Sequence, residues 1–122
     1  SNPIRRGVRY TTGAICPLNG RFQISLAAVD PRTGTTGAGV PLQQNDLFGY
    51  FSIPGLTGNP RNPEVFVKML DGRDENGKFW VFYGGLTDLE FTLKVTDTVT
   101  GIVKSYSKEG GSFCGNADTQ AF

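Results

Sequence analysis

The sequence has no histidine, one methionine, one tryptophan and two cysteines. Without histidine there is no imidazole for general acid–base chemistry, for a Ser-His-Asp or Cys-His nucleophile, or for a His-ligated metal. Charge of either sign is also scarce in excess: twelve Lys and Arg face eleven Asp and Glu, a formal net charge of +1. Such a balance supplies no broad field for gripping nucleic acid or an anionic membrane. No apolar run approaches the roughly 20 residues needed to span a bilayer. Neither a P-loop nor a dinucleotide fingerprint is present, and the spaced glycines Gly34, Gly37 and Gly39 precede no helical pattern.

What is abundant is punctuation. Seventeen Gly and seven Pro in 122 residues favour many short segments joined by turns over long helices. Phe22, Ile24 and Leu26 alternate with Gln23, Ser25 and Ala27, the period-2 signature of a half-buried strand. Asp30-Pro31-Arg32-Thr33-Gly34 reads as a turn. Val40 and Leu42 suggest a short strand that Pro41 confines to an edge or a bulge, and 47–53 reads as an aromatic-rich strand. Residues 54–63, with three Pro and two Gly, read as a loop. Alternation returns in 64–70, 78–83 and 89–95; polar turns at 71–77 and 97–101 separate these segments and lead into a strand over 102–106. Gly110-Gly111 then bends the chain toward Phe113-Cys114.

Seven or eight short strands at a spacing of 8–12 residues, with no helical period, predict an all-β domain over 16–122. The first choice is an immunoglobulin-like sandwich of antiparallel strands; a jelly roll or small barrel is the alternative. Residues 1–15 carry Arg5, Arg6 and Arg9 and read as a basic N-terminal arm, or as an edge strand around Val8-Arg9-Tyr10. The absence of an initiator Met and of a signal-peptide pattern at Ser1 suggests a processed or excised piece.

Cys16 and Cys114 bracket nearly the whole domain. Two cysteines without histidine do not make a zinc site, so a disulfide is their expected use. Closing a loop of this length contributes up to about 4.7 kcal/mol in the chain-entropy model, and a bridge would place the protein in an oxidising, extracellular compartment.

The segment 64–83 is the most informative. Pairing Leu70 with Lys78 across the turn places Val65, Val67 and Met69 with Phe79, Val81 and Tyr83 on one apolar face suited to the core. Phe66, Lys68 and Leu70 then share the other face with Lys78, Trp80 and Phe82. A slip of two residues changes partners and keeps the faces; a slip of one exchanges them. Strands apolar on both faces usually lie centrally with the second face packed, so covering by the 54–63 loop or the basic arm is expected ahead of exposure. If exposed, Trp80, Phe82 and Phe66 with Lys68 form the kind of strip that stacks on sugar rings or anchors a protein partner.

The turn residues Asp71, Asp74 and Asn76 bring oxygen ligands close together, as calcium requires, but lack the regular spacing of a calcium loop and its distal Glu. Asx and Gly residues are also what any tight polar turn uses, so the expectation is no cofactor, with calcium as the one candidate. No carboxylate pair sits in an enclosing cleft pattern, which points away from an enzyme.

The runs EVFVKMLDG from Glu64 and NGKFWVFYG from Asn76, the stretch FTLKVTDTVTG from Phe91 with Lys104-Ser105-Tyr106, and the ending DTQAF from Asp118 resemble an accessory β-sandwich domain that recurs in secreted bacterial proteins. The resemblance covers about residues 20–122 and implies a non-catalytic, surface or adhesive role with no active residues; the cysteine pair stands outside its pattern. Together these readings predict an extracellular binding module for polysaccharide or protein at the cell surface. The alternative is a structural subunit or spacer that self-associates, its N-terminal segment pairing with a neighbour.

Overall fold

Alternation decides the layers. In β2 (Phe22–Val29), Phe22, Ile24, Leu26 and Ala28 are buried while the residues between them face outward. The same rule holds in β6 (Val65–Gly72), β7 (Lys78–Gly85) and β8 (Glu90–Asp97), whose inward positions are Val65, Val67, Met69, then Phe79, Val81, Tyr83, then Phe91, Leu93, Val95. Shorter strands complete the set: β1 (Ala14–Ile15), β3 (Thr36–Ala38), β4 (Val40–Gln43), β5 (Phe48–Ser52), β9 (Val103–Lys108) and β10 (Gly115–Asp118). Two single-turn helices, α1 (Pro54–Thr57) and α2 (Arg73–Asn76), sit in the connections. The computed structural model describes residues 14–43, 45–85, 89–108 and 115–122.

The described strands form two antiparallel sheets, not a closed barrel. The first has the order β1-β2-β8-β9, with β3 also pairing to β2; the second has the order β10-β7-β6-β5-β4. From β1 the described strands lie in the first sheet, pass through β4 to β7 in the second, return for β8 and β9, and end with β10 beside β7. Gly39 marks the first change of sheet: its N–H donates to Leu26 O at 2.8 Å. A Cβ there would lie 2.7 Å from Leu26 Cβ and 2.9 Å from Phe51 Cδ1, so only glycine lets the backbone pass between the layers.

The sheets bury their inner faces against each other. Phe22 meets Phe79 edge-on at 5.0 Å, and Tyr83 meets Phe91 at 6.5 Å, each pair joining one sheet to the other. At one end of the core the Arg21 guanidinium lies 4.5 Å from the centroid of the Phe79 ring and Arg73 lies 4.6 Å from it. Arg21 is held by Asp97 through two hydrogen bonds of 3.0 and 2.9 Å, and Asp97 is only 2% exposed. Along one flank, Tyr106 on β9 donates to Asp118 Oδ2 on β10 at 2.6 Å and ties the outer strands of the two sheets together.

The all-β reading and the principal strands agree with this architecture. Pro41 does lie on β4, the outermost described strand of its sheet. Three strands were missed: β1, β3 and β10, with the sequences AI, TGA and GNAD. They are held chiefly by backbone pairing and have too few apolar side chains to show a period. The turn over 71–77 is shorter than expected, because β6 runs on to Gly72 and α2 closes the hairpin. Leu70 therefore pairs with Trp80 and not with Lys78, a two-residue slip that leaves both faces as assigned. The loop over 54–63 contains α1, which starts at Pro54 and packs Leu56 against the core. Ala14–Ile15, assigned to the arm, form β1 with Ile15 in the core; the rest of the basic arm with the edge strand around Val8, and Gly110-Gly111 and Phe113-Cys114, lie outside the described residues.

Candidate functional site

Pairing across the second sheet sets its outer face in rows. One row runs Phe48, Lys68, Phe82; the next pairs Tyr50 with Phe66; the third pairs Leu70 with Trp80. Neighbouring strands lie about 4.8 Å apart, so Lys68 stands with an aromatic residue on either side. β6 and β7 are central, as their doubly apolar sequences imply, yet this face reaches solvent. Phe66 is 40% exposed, Lys68 is exposed, and Phe48, Tyr50, Leu70, Trp80 and Phe82 are half-buried. Among the described residues the sheet packs with its other face, which supplies the core, so the 54–63 loop is not its cover; the basic arm, the other expected cover, lies outside the described residues. Phe48, Phe66, Lys68, Leu70 and Phe82 line a shallow depression of about 370 Å³.

Trp80 is positioned on three sides. Its Nε1–H donates to Asn76 Oδ1 at 2.9 Å, and the same oxygen accepts the Lys78 N–H at 3.1 Å. The Asn76 side-chain amide in turn donates to Thr119 O at 2.7 Å, tying the hairpin end to the chain segment after β10. The indole lies over Gly72, where a Cβ would come within 2.1 Å of Cε2. Its far side meets Phe82 edge-to-face, with centroids 6.4 Å apart and planes inclined at 69°. The two rings therefore do not lie in one plane.

Two of the three candidate calcium residues, Asp71 and Asn76, are otherwise engaged. Asp71 receives Arg73 through hydrogen bonds of 2.8 and 2.7 Å, and that contact holds its carboxyl down at about 2. Asn76 is the anchor of Trp80, a role the spacing did not disclose, and Asp74 lies in the first turn of α2. Among the described residues no group of three or more Cys, Asp or Glu is gathered as a metal site would need. Cys16 is buried, and burial pushes its thiol up to about 11; Cys114 lies outside the described residues.

Phe48 and Tyr50 were not among the expected site residues. Their alternation with Phe51 was visible, but which strand β5 would pair with was not. A second depression, about 400 Å³, lies over β2, β3 and β8 and is lined mostly by small side chains with Glu90 at its margin. Phe91 is the one aromatic residue lining it, and none of the ion pairs among the described residues does. No helix among the described residues is long and apolar enough to cross a membrane. No protein-family model, curated protein or solved structure matches the chain.

Proposed function

We propose that the domain is a non-catalytic extracellular binding module that takes carbohydrate on the outer face of the second sheet, on an immunoglobulin-like sandwich in the broad sense of two packed antiparallel layers. The observation that carries the reading is the open array of rings around Lys68, with Phe66 exposed in the row beside it and Trp80 pinned by Asn76 and Gly72. Sugar rings have apolar C–H faces that pack on aromatic rings, and a side chain already held in place loses little entropy on contact. Because Trp80 and Phe82 meet at an angle, the face suits a single glycan chain better than a flat crystalline surface. Extracellular placement is supported by the cysteine pair that brackets the domain.

The test is affinity electrophoresis and Trp80 fluorescence against a panel of neutral and acidic polysaccharides. The expected result is retardation and a shifted emission, with binding lost several-fold in Phe66→Ala and Phe82→Ala while the folded state persists. A domain that migrates freely through every gel with unchanged emission would overturn the reading.

A second reading, a structural subunit or spacer of a surface assembly, is favoured by the exposed Val99, Ile102 and Val103 at the turn between β8 and β9. It requires self-association, so a strictly monomeric species at high concentration in analytical ultracentrifugation would count against it.

A further inference from the structure

Lys68 narrows the ligand class. Its neighbours in the face, Phe48 and Phe82 across the strands and Phe66 and Leu70 along its own, are all uncharged. The ion pairs among the described residues join Arg21 to Asp97, Arg32 to Asp30 and Arg73 to Asp71, and Lys68 takes part in none of them. An ammonium standing exposed between rings, with no acid paired to it among the described residues, calls for an anionic group on whatever fills the depression. The rings beside it call for apolar faces on either side of that anion.

From this, and resting on the carbohydrate reading above, we propose that the face takes an acidic polysaccharide, a polymer of uronic acid units. One sugar would stack on Phe66 or Phe82 while its carboxylate meets Lys68. The charge economy of the site argues against other polyanions. Duplex DNA carries a charge every ~1.7 Å and needs several cations in line, and an anionic membrane likewise needs a basic cluster. Lys68 and, two rows away on the same face, Lys78 are too few for either, while a cation set between two aromatic residues at Lys68 matches a ligand with one carboxylate per ring and apolar surface between.

The experiment titrates the protein with polygalacturonate, alginate and hyaluronan, and with fully methyl-esterified polygalacturonate, which keeps the ring and removes the charge. Lys68→Gln is the companion variant; the side chain is exposed, so the fold should not depend on it. The expected result is binding to at least one polyuronate that weakens about tenfold or more in Lys68→Gln, the range for a charge-assisted contact. Binding should also weaken as salt rises. Should polygalacturonate be the one bound, the ester would lose affinity on the wild type and make no difference to the variant. Equal binding of acid and ester, with Lys68→Gln unchanged, would overturn the inference and leave the carbohydrate reading standing. Binding to neutral polysaccharides with none to polygalacturonate, alginate or hyaluronan would do the same. Failure of every neutral and acidic polymer to bind would remove both.

Discussion

Gly72→Ala isolates the packing that holds the tryptophan of the candidate site. Gly72 has φ −92° and ψ 14°, which alanine adopts without strain, so on backbone grounds alone the change should stabilise by about 0.4–1 kcal/mol. Packing reverses the sign. The new Cβ would sit 2.1 Å from Trp80 Cε2 and 2.2 Å from Nε1, so the indole must leave its place. That displacement forfeits the hydrogen bond to Asn76, about 0.5–1.5 kcal/mol. It also drives the ring off its rotamer or crowds its neighbours, at a further 1–3 kcal/mol or so. The net expectation is a loss of about 0.5–4 kcal/mol, centred on about 2 kcal/mol, which at the centre lowers Tm by roughly 6–10 °C. Because Trp80 is the one tryptophan in the chain, its emission reports the displacement directly and should move toward longer wavelength as the ring enters water. Urea denaturation of Gly72→Ala, Trp80→Ala and the double variant gives the coupling between the two positions. In the Trp80→Ala background the glycine substitution should become neutral or stabilising. A Gly72→Ala protein as stable as the wild type, with unchanged emission, would refute the reasoning.

Three further outcomes are expected. Asp97→Asn should lower stability by on the order of 3 kcal/mol in urea, since it leaves Arg21 without its buried partner. Hydrogen bonding from Arg21 holds the Asp97 carboxyl below its usual range, so its contribution is present above the unfolded value near ~4 and is lost as pH falls through the folded one. The stability difference between wild type and Asp97→Asn should therefore shrink below about pH 4; a difference constant from pH 7 to pH 2 would contradict this. Tyr106→Phe removes the hydrogen bond to Asp118 across the flank; about 1.5–3 kcal/mol of local stability should go, and amide exchange in β10 should quicken more than in β6. Non-reducing mass spectrometry should show Cys16 linked to Cys114. Alkylation must follow denaturation, because a buried thiol titrating at about 11 reacts slowly in the native state; two alkylated thiols without prior reduction would remove the main argument for an oxidising compartment.

Strands that bury one face declare themselves in the sequence, because a side chain must alternate between core and water along an extended chain. That is why β2, β6, β7 and β8 and the identity of their inward residues were legible from Phe22 to Val95. β3 and β10 were not, since Thr36-Gly37-Ala38 and Gly115-Asn116-Ala117-Asp118 are recruited by backbone hydrogen bonds to β2 and β7, and a backbone bond has no side-chain signature. The site divides in the same way. That Phe66, Lys68, Trp80 and Phe82 share a face follows from parity alone and survived the two-residue shift in register.

What parity could not supply is which way that face points. The same apolar residues would serve as well under a covering layer as in solvent, and only the packing of one sheet on the other through Phe22, Phe79, Tyr83 and Phe91 leaves the Lys68 face outward. Composition likewise removed histidine chemistry and a broad polyanion surface at the outset, by absence of the necessary groups. The placement of Phe48 and Tyr50 beside Lys68, and of Asn76 and Gly72 beneath Trp80, depended on contacts between separate strands and turns. Those contacts are set by register and turn length, quantities that a chain acquires only on folding.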